Sequence, residues 1–509
     1  MPISDKLQAS PIVSTDEGTV EGTFDNSIYC FKGIPFAAPP TGKNRWRPPQ
    51  PPLPWEGIRE AKHYNTLALQ SQYPAGSFFK QPNYPQSEDC LHLNIWTPSL
   101  GTSERLPVMV WIHGGYFNYG GGALPNYNGN NLARHGLVVV TFNYRLGVLG
   151  FLGHPALSKE SAHGVSGNYG LLDQIAALHW VQNNIASFGG DPDNVTVFGE
   201  SAGSWSISLL VCSPLARGLF HRAIGQSGAS TGPTPFLKSA KNGKKAGEEV
   251  GAKFVEAAGV DSLEELRSLP FAAVEKAAKA SGFYTEPYVD GWLIPDEPRF
   301  IMERGTQLPI PVLIGSNRDE ATTFTDPNQL PTTVEDFKQD LVRKYGTLSH
   351  RLLEAYPVES AADILPAHLD RLGDQLFTLS MRHWAERSCK ADIPTYLYHF
   401  TRVPNIPQKA YFGAYHGAEI PYVFDNLSKI PIDGIFNKAD QELADQIIAY
   451  WVNFAYHGNP NGDNVSAWPR YEQASTHYME LGDTVECKQH LLKARLDILE
   501  EVSLARKQA

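Results

Sequence analysis

The stretch of sequence that decides the fold is Asn194-Val195-Thr196-Val197-Phe198-Gly199-Glu200-Ser201-Ala202-Gly203. Residues 194–198 are mostly β-branched and apolar and predict a short buried strand, whereas Ala202 to Val211 predicts a helix. A Gly-x-Ser-x-Gly sequence between a strand and a helix is typical of a sharp turn that needs small residues on both sides of the serine. Such a turn exposes the Ser201 hydroxyl at the helix N-terminus, where the helix dipole favours negative charge.

The composition is that of a globular protein with a substantial core. The 509 residues are 42% hydrophobic and 19% charged. A net charge of −11 argues against a nucleic-acid-binding surface. The sequence contains no apolar stretch of about 18 residues, so no membrane partner is expected. Because the first residues lack the charged start and apolar core of a secretory signal, we expect a cytoplasmic protein.

The cysteines are odd in number and show no Cys-x-x-Cys spacing. They are Cys30, Cys90, Cys212, Cys389 and Cys487. This scatter favours neither a disulfide framework nor a zinc site. We therefore expect five buried free thiols.

Alternating strands and helices predict an α/β protein with a central, mostly parallel, twisted sheet that helices cover on both faces. Residues 11–36 predict antiparallel hairpins at the start of this sheet. The core strands are predicted at Leu91–Trp96, Pro107–Ile112, Leu137–Phe142, Ala223–Gly225, Pro311–Gly315 and Thr395–Phe400. Residues 236–283 and 333–390 are predicted to be helical insertions that cap the sheet, within a single domain spanning residues 1–509.

A serine hydroxyl becomes a strong nucleophile when a histidine accepts its proton and a carboxylate orients that histidine. In α/β hydrolases these residues follow the order serine, acid, histidine. The predicted strand Pro311–Gly315 runs into a polar loop that carries Asp319 and Glu320 side by side. Spacing alone does not choose between these two carboxylates.

The histidine of this constellation is predicted to be His416. It stands in the glycine-framed segment Gly413-Ala414-Tyr415-His416-Gly417, after the strand that ends at Phe400. Another glycine-rich loop, His113-Gly114-Gly115, directly follows an apolar strand. Backbone N–H groups in such a loop can bind the negatively charged oxygen of a reaction intermediate.

With these motifs the sequence resembles the carboxylesterase type B (cholinesterase-like) family from about Ile12 to about Tyr471. Further matching stretches are Phe31–Ala37, Ser87–Asn94, Asn143–Gly147 and Phe188–Pro192. The resemblance implies an α/β-hydrolase fold and a general carboxylesterase of the para-nitrobenzyl-esterase-like kind. It also implies that Glu320 is the acid of a triad with Ser201 and His416.

The same resemblance implies roles for residues around the triad. The backbone N–H groups of Gly115, Tyr116 and Ala202 would form the oxyanion hole. Glu200 and Ser227 match family positions that support the catalytic histidine through charge and hydrogen bonds.

Some positions depart from the family pattern. Tyr116 stands where a glycine or alanine is usual. Ala321 replaces the glycine that follows the acid, which implies that this backbone does not need a positive φ. Cys90 matches half of a family disulfide whose other half falls near Ala68, so that bridge is absent, in agreement with a reducing compartment.

The loop from Gln70 to Gln86 contains Phe78 and Phe79 but no tryptophan. Choline-specific relatives use a tryptophan there to bind a quaternary ammonium group. Its absence favours a general esterase. Phe78, Phe79 and Trp205 are candidates for the substrate pocket.

The expected function is hydrolysis of small-molecule carboxylic esters through an acyl-enzyme, with no metal and no cofactor. Two alternatives stay open. One is a catalytically silent binding or adhesion protein of the same fold, and the other is a hydrolase specialised for carbamates or amides. The sequence leaves the oligomeric state open.

Overall fold

The computed structural model describes residues 10–73, 77–80, 82–429 and 434–508. Its contacts divide the chain into two compact units. The first unit comprises Met1–Ala75, Lys80–Ala223 and Thr234–Glu297, and the second comprises Gly76–Phe79, Ile224–Pro233 and Pro298–Ala509. The N-terminal residues on which the expectation about a secretory signal rests lie outside the described residues.

The first unit contains β1 (Ile12–Ser14), β2 (Thr19–Glu21), β3 (Thr23–Asp25), β4 (Ile28–Pro35), β5 (Ile58–Glu60), β6 (Leu67–Ala68), β7 (Gln86–Ser87), β8 (His92–Thr97), β9 (Leu106–Ile112), β10 (Val138–Phe142) and β11 (Gly190–Glu200). Its helices are α1 (Asn130–Ala133), α2 (Gly147–Phe151), α3 (Pro155–Glu160), α4 (Tyr169–Asn184), α5 (Ala202–Leu210), α6 (Gly247–Ala258), α7 (Leu263–Ser268) and α8 (Phe271–Ser281). β12 (Arg222–Gln226) contributes residues to both units.

The main sheet of the first unit has the strand order β11-β9-β10-β8-β4-β3. β9 pairs in parallel with β10 and β11, whereas β8, β4 and β3 pair antiparallel to their neighbours. Parallel strands are buried on both faces, and β10 and most of β9 are fully buried. The predicted parallel core and the predicted hairpins at the N-terminal edge are both confirmed.

The second unit contains β13 (Val312–Asn317), β14 (Thr395–Phe400), β15 (His477–Leu481) and β16 (Val485–Gln489), in that spatial order. Its helices are α9 (Pro298–Glu303), α10 (Val334–Tyr345), α11 (Ser349–Ala355), α12 (Ile364–Gly373), α13 (Leu379–Lys390), α14 (Lys409–Phe412), α15 (Ile420–Val423), α16 (Lys438–His457) and α17 (Lys493–Gln508). β13, β14 and β15 run parallel, and β16 returns antiparallel to β15.

The predicted helical segments differ in how well the structure matches them. Residues 333–390 are helix-rich, as predicted. Residues 236–246 are not helical, so this part of the prediction is wrong. Asn242 and Gly243 have positive φ angles and form a tight turn in which Lys241 and Lys244 pair with each other. An Asn-Gly pair favours such a hairpin turn over a helix. The role of both segments as caps stays a prediction.

All five cysteines are free thiols, but the expectation that all are buried is wrong. Cys30, Cys90 and Cys212 are buried, Cys389 is half-buried, and Cys487 is exposed. Cys487 lies on β16, where the edge of the sheet faces water. No helix in the described part of the chain combines the length and the apolar character needed to cross a bilayer.

A buried ion pair fixes the segment that follows β10. Asp173 on α4 accepts hydrogen bonds from the Arg145 backbone N–H and from its Nε and Nη2 atoms, at 3.0, 2.8 and 2.7 Å. Both side chains are almost completely buried. The neighbouring Tyr144 hydroxyl donates to the carbonyl of His113 at 2.9 Å. The ion pair therefore helps to place the glycine-rich loop that begins at His113.

Asp173→Asn should destabilise the protein by about 3–5 kcal/mol, because it leaves the Arg145 charge buried without its counter-ion. Unfolding in urea, followed by tryptophan fluorescence, measures the change. The matched control is Arg105→Gln, which removes exposed ion pairs with Asp191 and Asp193 and should cost less than about 1 kcal/mol. Equal losses in the two variants would contradict this account.

Candidate active site

Ser201 occupies the sharp turn between β11 and α5, with φ 55° and ψ −122°. An added Cβ on Gly203 would lie 1.9 Å from the Ile112 carbonyl oxygen at the end of β9, and one on Gly199 would lie 2.5 Å from the same atom. Both contacts are far shorter than any that real Cβ atoms make. The predicted need for small residues on both sides of the serine is therefore confirmed.

The loop after β9 turns back tightly on itself. Gly115, Tyr116 and Phe117 have φ angles of 107°, 57° and 58°. The N–H groups of Asn118 and Tyr119 both donate to the Gly115 carbonyl at 2.9 Å. Left-handed conformations are unfavourable for Tyr and Phe, so the surrounding contacts must hold this loop in place.

The same loop lies directly against the serine turn. A Cβ on Gly114 would lie 3.0 Å from the Ser201 Cβ and 2.9 Å from Glu200 Oε2. The Ala202 N–H belongs to the first turn of α5, whose N–H groups have no partner within the helix. Within the described residues, the N–H groups of Gly115 and Ala202 donate to no acceptor. These two predicted oxyanion donors are therefore available to a ligand.

His113 is fixed in this loop as a neutral residue. Its ring stacks on Tyr144 with the ring centroids 4.3 Å apart, and its Nδ1 lies 2.8 Å from the Gly114 carbonyl oxygen. Burial lowers the pKa of His113 to about 4. A group with so low a pKa is a poor proton acceptor, so His113 supports the loop rather than acting as a base.

In the second unit, Glu320 and His416 are in direct contact. Glu320 Oε2 lies 2.5 Å from His416 Nδ1, and the two residues are 1% and 3% exposed. Glu320 Oε1 accepts hydrogen bonds from the Ser227 hydroxyl at 2.6 Å and from the Asn317 N–H at 2.7 Å. The carboxylate is thus held on one oxygen while its other oxygen orients the imidazole ring.

Asp319, the other carboxylate that spacing left open, has a different position. Its Oδ2 accepts hydrogen bonds from the Ala414 N–H at 2.7 Å and from Arg318 Nε at 2.9 Å. Its own N–H donates to the Ala414 carbonyl at 3.0 Å. Asp319 therefore anchors the loop that carries His416, while Glu320 contacts the imidazole itself.

Three phenylalanine rings surround the His416 imidazole. The ring centroids of Phe377, Phe324 and Phe79 lie 4.5, 4.9 and 6.3 Å from the centroid of the imidazole. Phe377 comes from a π-helical turn, Asp374–Thr378, between α12 and α13. Sequence reasoning named Phe79 but missed Phe324 and Phe377. The helical pattern of residues 364–390 carries no sign of the π-helical turn that directs Phe377.

A buried polar network behind His416 was also missed. Glu419 accepts hydrogen bonds from Asn317 Nδ2 at 2.6 Å and from Gln226 Nε2 at 2.9 Å. Asn317 Nδ2 also donates to the Tyr415 carbonyl at 2.8 Å. The network ties the ends of β12 and β13 to the segment on both sides of His416. The local sequence signal for it is the position of Glu419, three residues after His416.

The remaining predicted residues occupy different surroundings. Phe78 packs on Phe412 and Tyr415, with centroid distances of 4.6 and 4.8 Å. Tyr116 is 51% exposed, and Trp205 is 43% exposed, with its ring 6.4 Å from Phe117. Phe78 and Phe79 therefore belong with the His416 loop, whereas Tyr116 and Trp205 belong with the serine turn.

The described residues contain no group of three or more His, Cys, Asp or Glu side chains arranged to hold a metal ion.

Gly203→Ala should destabilise the protein by about 1–3 kcal/mol or more, since the new methyl group would overlap the Ile112 carbonyl. Gly232→Ala is the matched control, because its Cβ would meet no described atom within 4 Å. The control should leave the stability unchanged or raise it by about 0.4–1 kcal/mol. Thermal unfolding of both variants measures the difference, and a Gly203→Ala protein as stable as the control would contradict the proposed packing of the turn.

Comparisons with known proteins agree with this geometry. Residues 9–499 match the model of the carboxylesterase family. The chain is 41% identical to a fumonisin B1 esterase from Sphingopyxis macrogoltabida, over 90% of this chain and 84% of that protein. It is 38% identical to the para-nitrobenzyl esterase of Bacillus subtilis, over 91% of this chain and 93% of that protein.

A solved structure, a thermophilic PNB esterase, matches 96% of this chain and all of its own, with 34% identity and a TM-score of 0.83. Other PNB esterases and the carboxylesterase EST55 of Geobacillus stearothermophilus match to a similar extent. The chain therefore belongs to the carboxylesterase family: it has the α/β-hydrolase fold and is a carboxylic ester hydrolase that acts on small-molecule esters through a Ser-Glu-His triad.

Proposed function

We propose that Ser201, Glu320 and His416 are the triad of this hydrolase. The observation that carries the proposal is the 2.5 Å contact between Glu320 Oε2 and His416 Nδ1. A carboxylate at Nδ1 keeps the proton on that nitrogen, which leaves the Nε2 lone pair to accept a proton. The serine turn, which places Ser201 at the start of α5, supports Ser201 as the nucleophile of this mechanism.

The first half of the reaction forms an acyl-enzyme. His416 Nε2 takes the proton of the Ser201 hydroxyl as its oxygen attacks the ester carbonyl carbon. The tetrahedral intermediate then collapses, the bond to the alcohol breaks, and His416 returns the proton to the departing alcohol oxygen. Glu320 stays ionised and stabilises the imidazolium form of His416 while that form exists.

The backbone N–H groups of Gly115, Tyr116 and Ala202 are proposed to bind the negatively charged oxygen of the intermediate. Support comes from the available N–H groups of Gly115 and Ala202 and from the close approach of the loop to the serine turn. Each such donor typically contributes about 10²–10³-fold to the rate. Water then attacks the acyl carbon while His416 takes its proton, the bond from that carbon to the Ser201 oxygen breaks, the carboxylic acid leaves, and His416 returns the proton to Ser201.

Two buried residues are proposed to support the histidine. Ser227 donates to Glu320 Oε1 and so fixes the carboxylate that orients the ring. Glu200 precedes the nucleophile and is almost completely buried. A negative charge on Glu200 would favour the imidazolium form that develops during each transfer of the proton.

We also propose that Trp205, Phe78, Phe79 and the exposed ring of Tyr116 line the substrate pocket. Phe78 and Phe79 are supported by their packing around the His416 loop. Residues 236–283 and 333–390 are proposed to cap the site within one catalytic domain spanning residues 1–509.

The test of the triad measures release of para-nitrophenol from a short-chain acyl ester. Ser201→Ala should lower kcat by about 10⁴–10⁶-fold, because the nucleophile is lost. Glu320→Gln should lower it by about 10²–10⁴-fold, because the amide no longer holds the reactive tautomer. Ser268→Ala, an exposed serine on α7, is the control and should retain full activity.

Treatment of the same samples with a fluorophosphonate, followed by mass spectrometry, identifies the nucleophile. The adduct is expected on Ser201. Comparable turnover by the wild type and Ser201→Ala, or an adduct on another hydroxyl while turnover stops, would contradict the assignment. A folded wild type with no ester turnover would favour the silent binding protein instead, and turnover of carbamates or amides in preference to esters would favour the specialised hydrolase.

We further propose that the enzyme works in a reducing compartment, the cytoplasm. The proposal is supported by five free thiols, among them the buried Cys90, whose partner in the family disulfide would fall near Ala68. Burial also raises the pKa of the Cys90 thiol, which keeps it unreactive. Fractionation of the host cells should place the esterase activity in the cytosolic fraction, and recovery of the activity outside the cytosol would contradict the proposal.

A further inference from the structure

The first unit contains a cleft of about 740 Å³ that no residue of the proposed mechanism uses. Its walls include Gln70, Gln72 and Asn118 and three charged side chains of α8. Pockets for small organic ligands usually measure about 300–1,000 Å³. The cleft is therefore large enough for a substantial part of a substrate.

The cleft shares its wall with the loop that carries the proposed oxyanion donors. Asn118 and Tyr119 line it, and their N–H groups are the ones that donate to the Gly115 carbonyl. Gln70, which also lines the cleft, exchanges two hydrogen bonds of 2.8 Å with the backbone of Gly120 in the same loop. A molecule bound in the cleft would therefore contact Asn118 and Tyr119, the residues that close this turn on the Gly115 carbonyl.

The charged side chains of the cleft are two cations and one anion: Lys276, Lys279 and Glu275. The Glu275 carboxylate accepts a hydrogen bond from the Ser71 hydroxyl at 2.5 Å. Neither lysine forms an ion pair with any described residue. Side chains three residues apart on a helix lie on the same face, so the two ammonium groups can reach one ligand together. The two cations outnumber the one anion, so the cleft carries a net positive charge on a protein whose net charge is −11.

We infer that this cleft is a subsite for the part of the ester remote from the scissile bond, and that this part carries a carboxylate held by Lys276 and Lys279. Both lysines are exposed at the rim, so the carboxylate remains partly hydrated while the rest of the ester passes along the apolar and amide groups deeper in the cleft. The preferred substrates are thus esters that bear a free carboxylate. The inference rests on the proposed function of Ser201 and deepens it.

The test compares matched pairs of esters that differ only in charge. Mono-para-nitrophenyl adipate against para-nitrophenyl hexanoate places the carboxylate on the acyl side. The butyrate ester of meta-hydroxybenzoate against phenyl butyrate places it on the alcohol side. The double variant Lys276→Gln/Lys279→Gln should raise KM about tenfold for the charged ester of one pair, and should change KM for the neutral esters by less than about twofold.

The matched control is Lys159→Gln/Lys238→Gln, which removes two exposed lysines of the same unit that do not line the cleft. It should leave the ratio of charged to neutral KM unchanged. Rising sodium chloride should increase KM for the charged ester with the wild type but not with the cleft variant, because salt screens the attraction. Equal responses of the charged and neutral esters in both pairs, or an equal effect of the control variant, would overturn the inference.

Failure of the inference is distinguishable from failure of the proposed function. If Ser201→Ala abolishes turnover of the neutral esters while the lysine variant has no selective effect, the triad stands and the subsite is wrong. If Ser201→Ala hydrolyses the neutral esters at the wild-type rate, the proposed function itself is wrong.

Discussion

The architecture of the first unit depends on the absence of two side chains where β11 turns into α5. The Ile112 carbonyl at the end of β9 occupies the space in which Cβ atoms of Gly199 and Gly203 would lie. Only glycines permit this approach, and the approach forces Ser201 into its positive φ at the helix N-terminus. Gly114 then brings the following loop against the same turn. The positions of the serine hydroxyl and of the nearby amides are thus consequences of backbone packing.

In the second unit, a set of hydrogen bonds and ring contacts holds a buried imidazole in one orientation. Glu320 is fixed by Ser227 and Asn317 before it meets His416, and Asp319 pins the backbone of the histidine loop. Phe324 and Phe377 close on the ring itself. Buried polar groups are costly unless they are hydrogen-bonded, so a satisfied network of this kind specifies one geometry. It also explains why adjacent carboxylates have unlike roles: Glu320 points inward to the ring and Asp319 points to the loop.

Charged side chains of the first unit have two contrasting roles. Arg145 and Asp173 neutralise each other in the core, where their role is to fix a segment. On α8, by contrast, Lys276 and Lys279 remain exposed and without a described counter-ion. A buried charge without a partner would be strongly destabilising, whereas an exposed one costs little and stays available to a ligand. Burial therefore separates the charges that stabilise this fold from those that can recognise a substrate.

The sequence by itself determined the core strands, the serine turn and the histidine loop, because each depends on local patterns: periodicity, glycine spacing and strand–loop junctions. It predicted β14 at its observed bounds and the start of α5 at Ala202. It could not separate Asp319 from Glu320, and only the family resemblance chose Glu320. The tertiary structure alone decided which side chains meet across long separations: Ser227 with Glu320, Gln226 and Asn317 with Glu419, and Phe377 with His416. Such contacts join segments far apart in the chain, and no local pattern encodes the packing that brings them together.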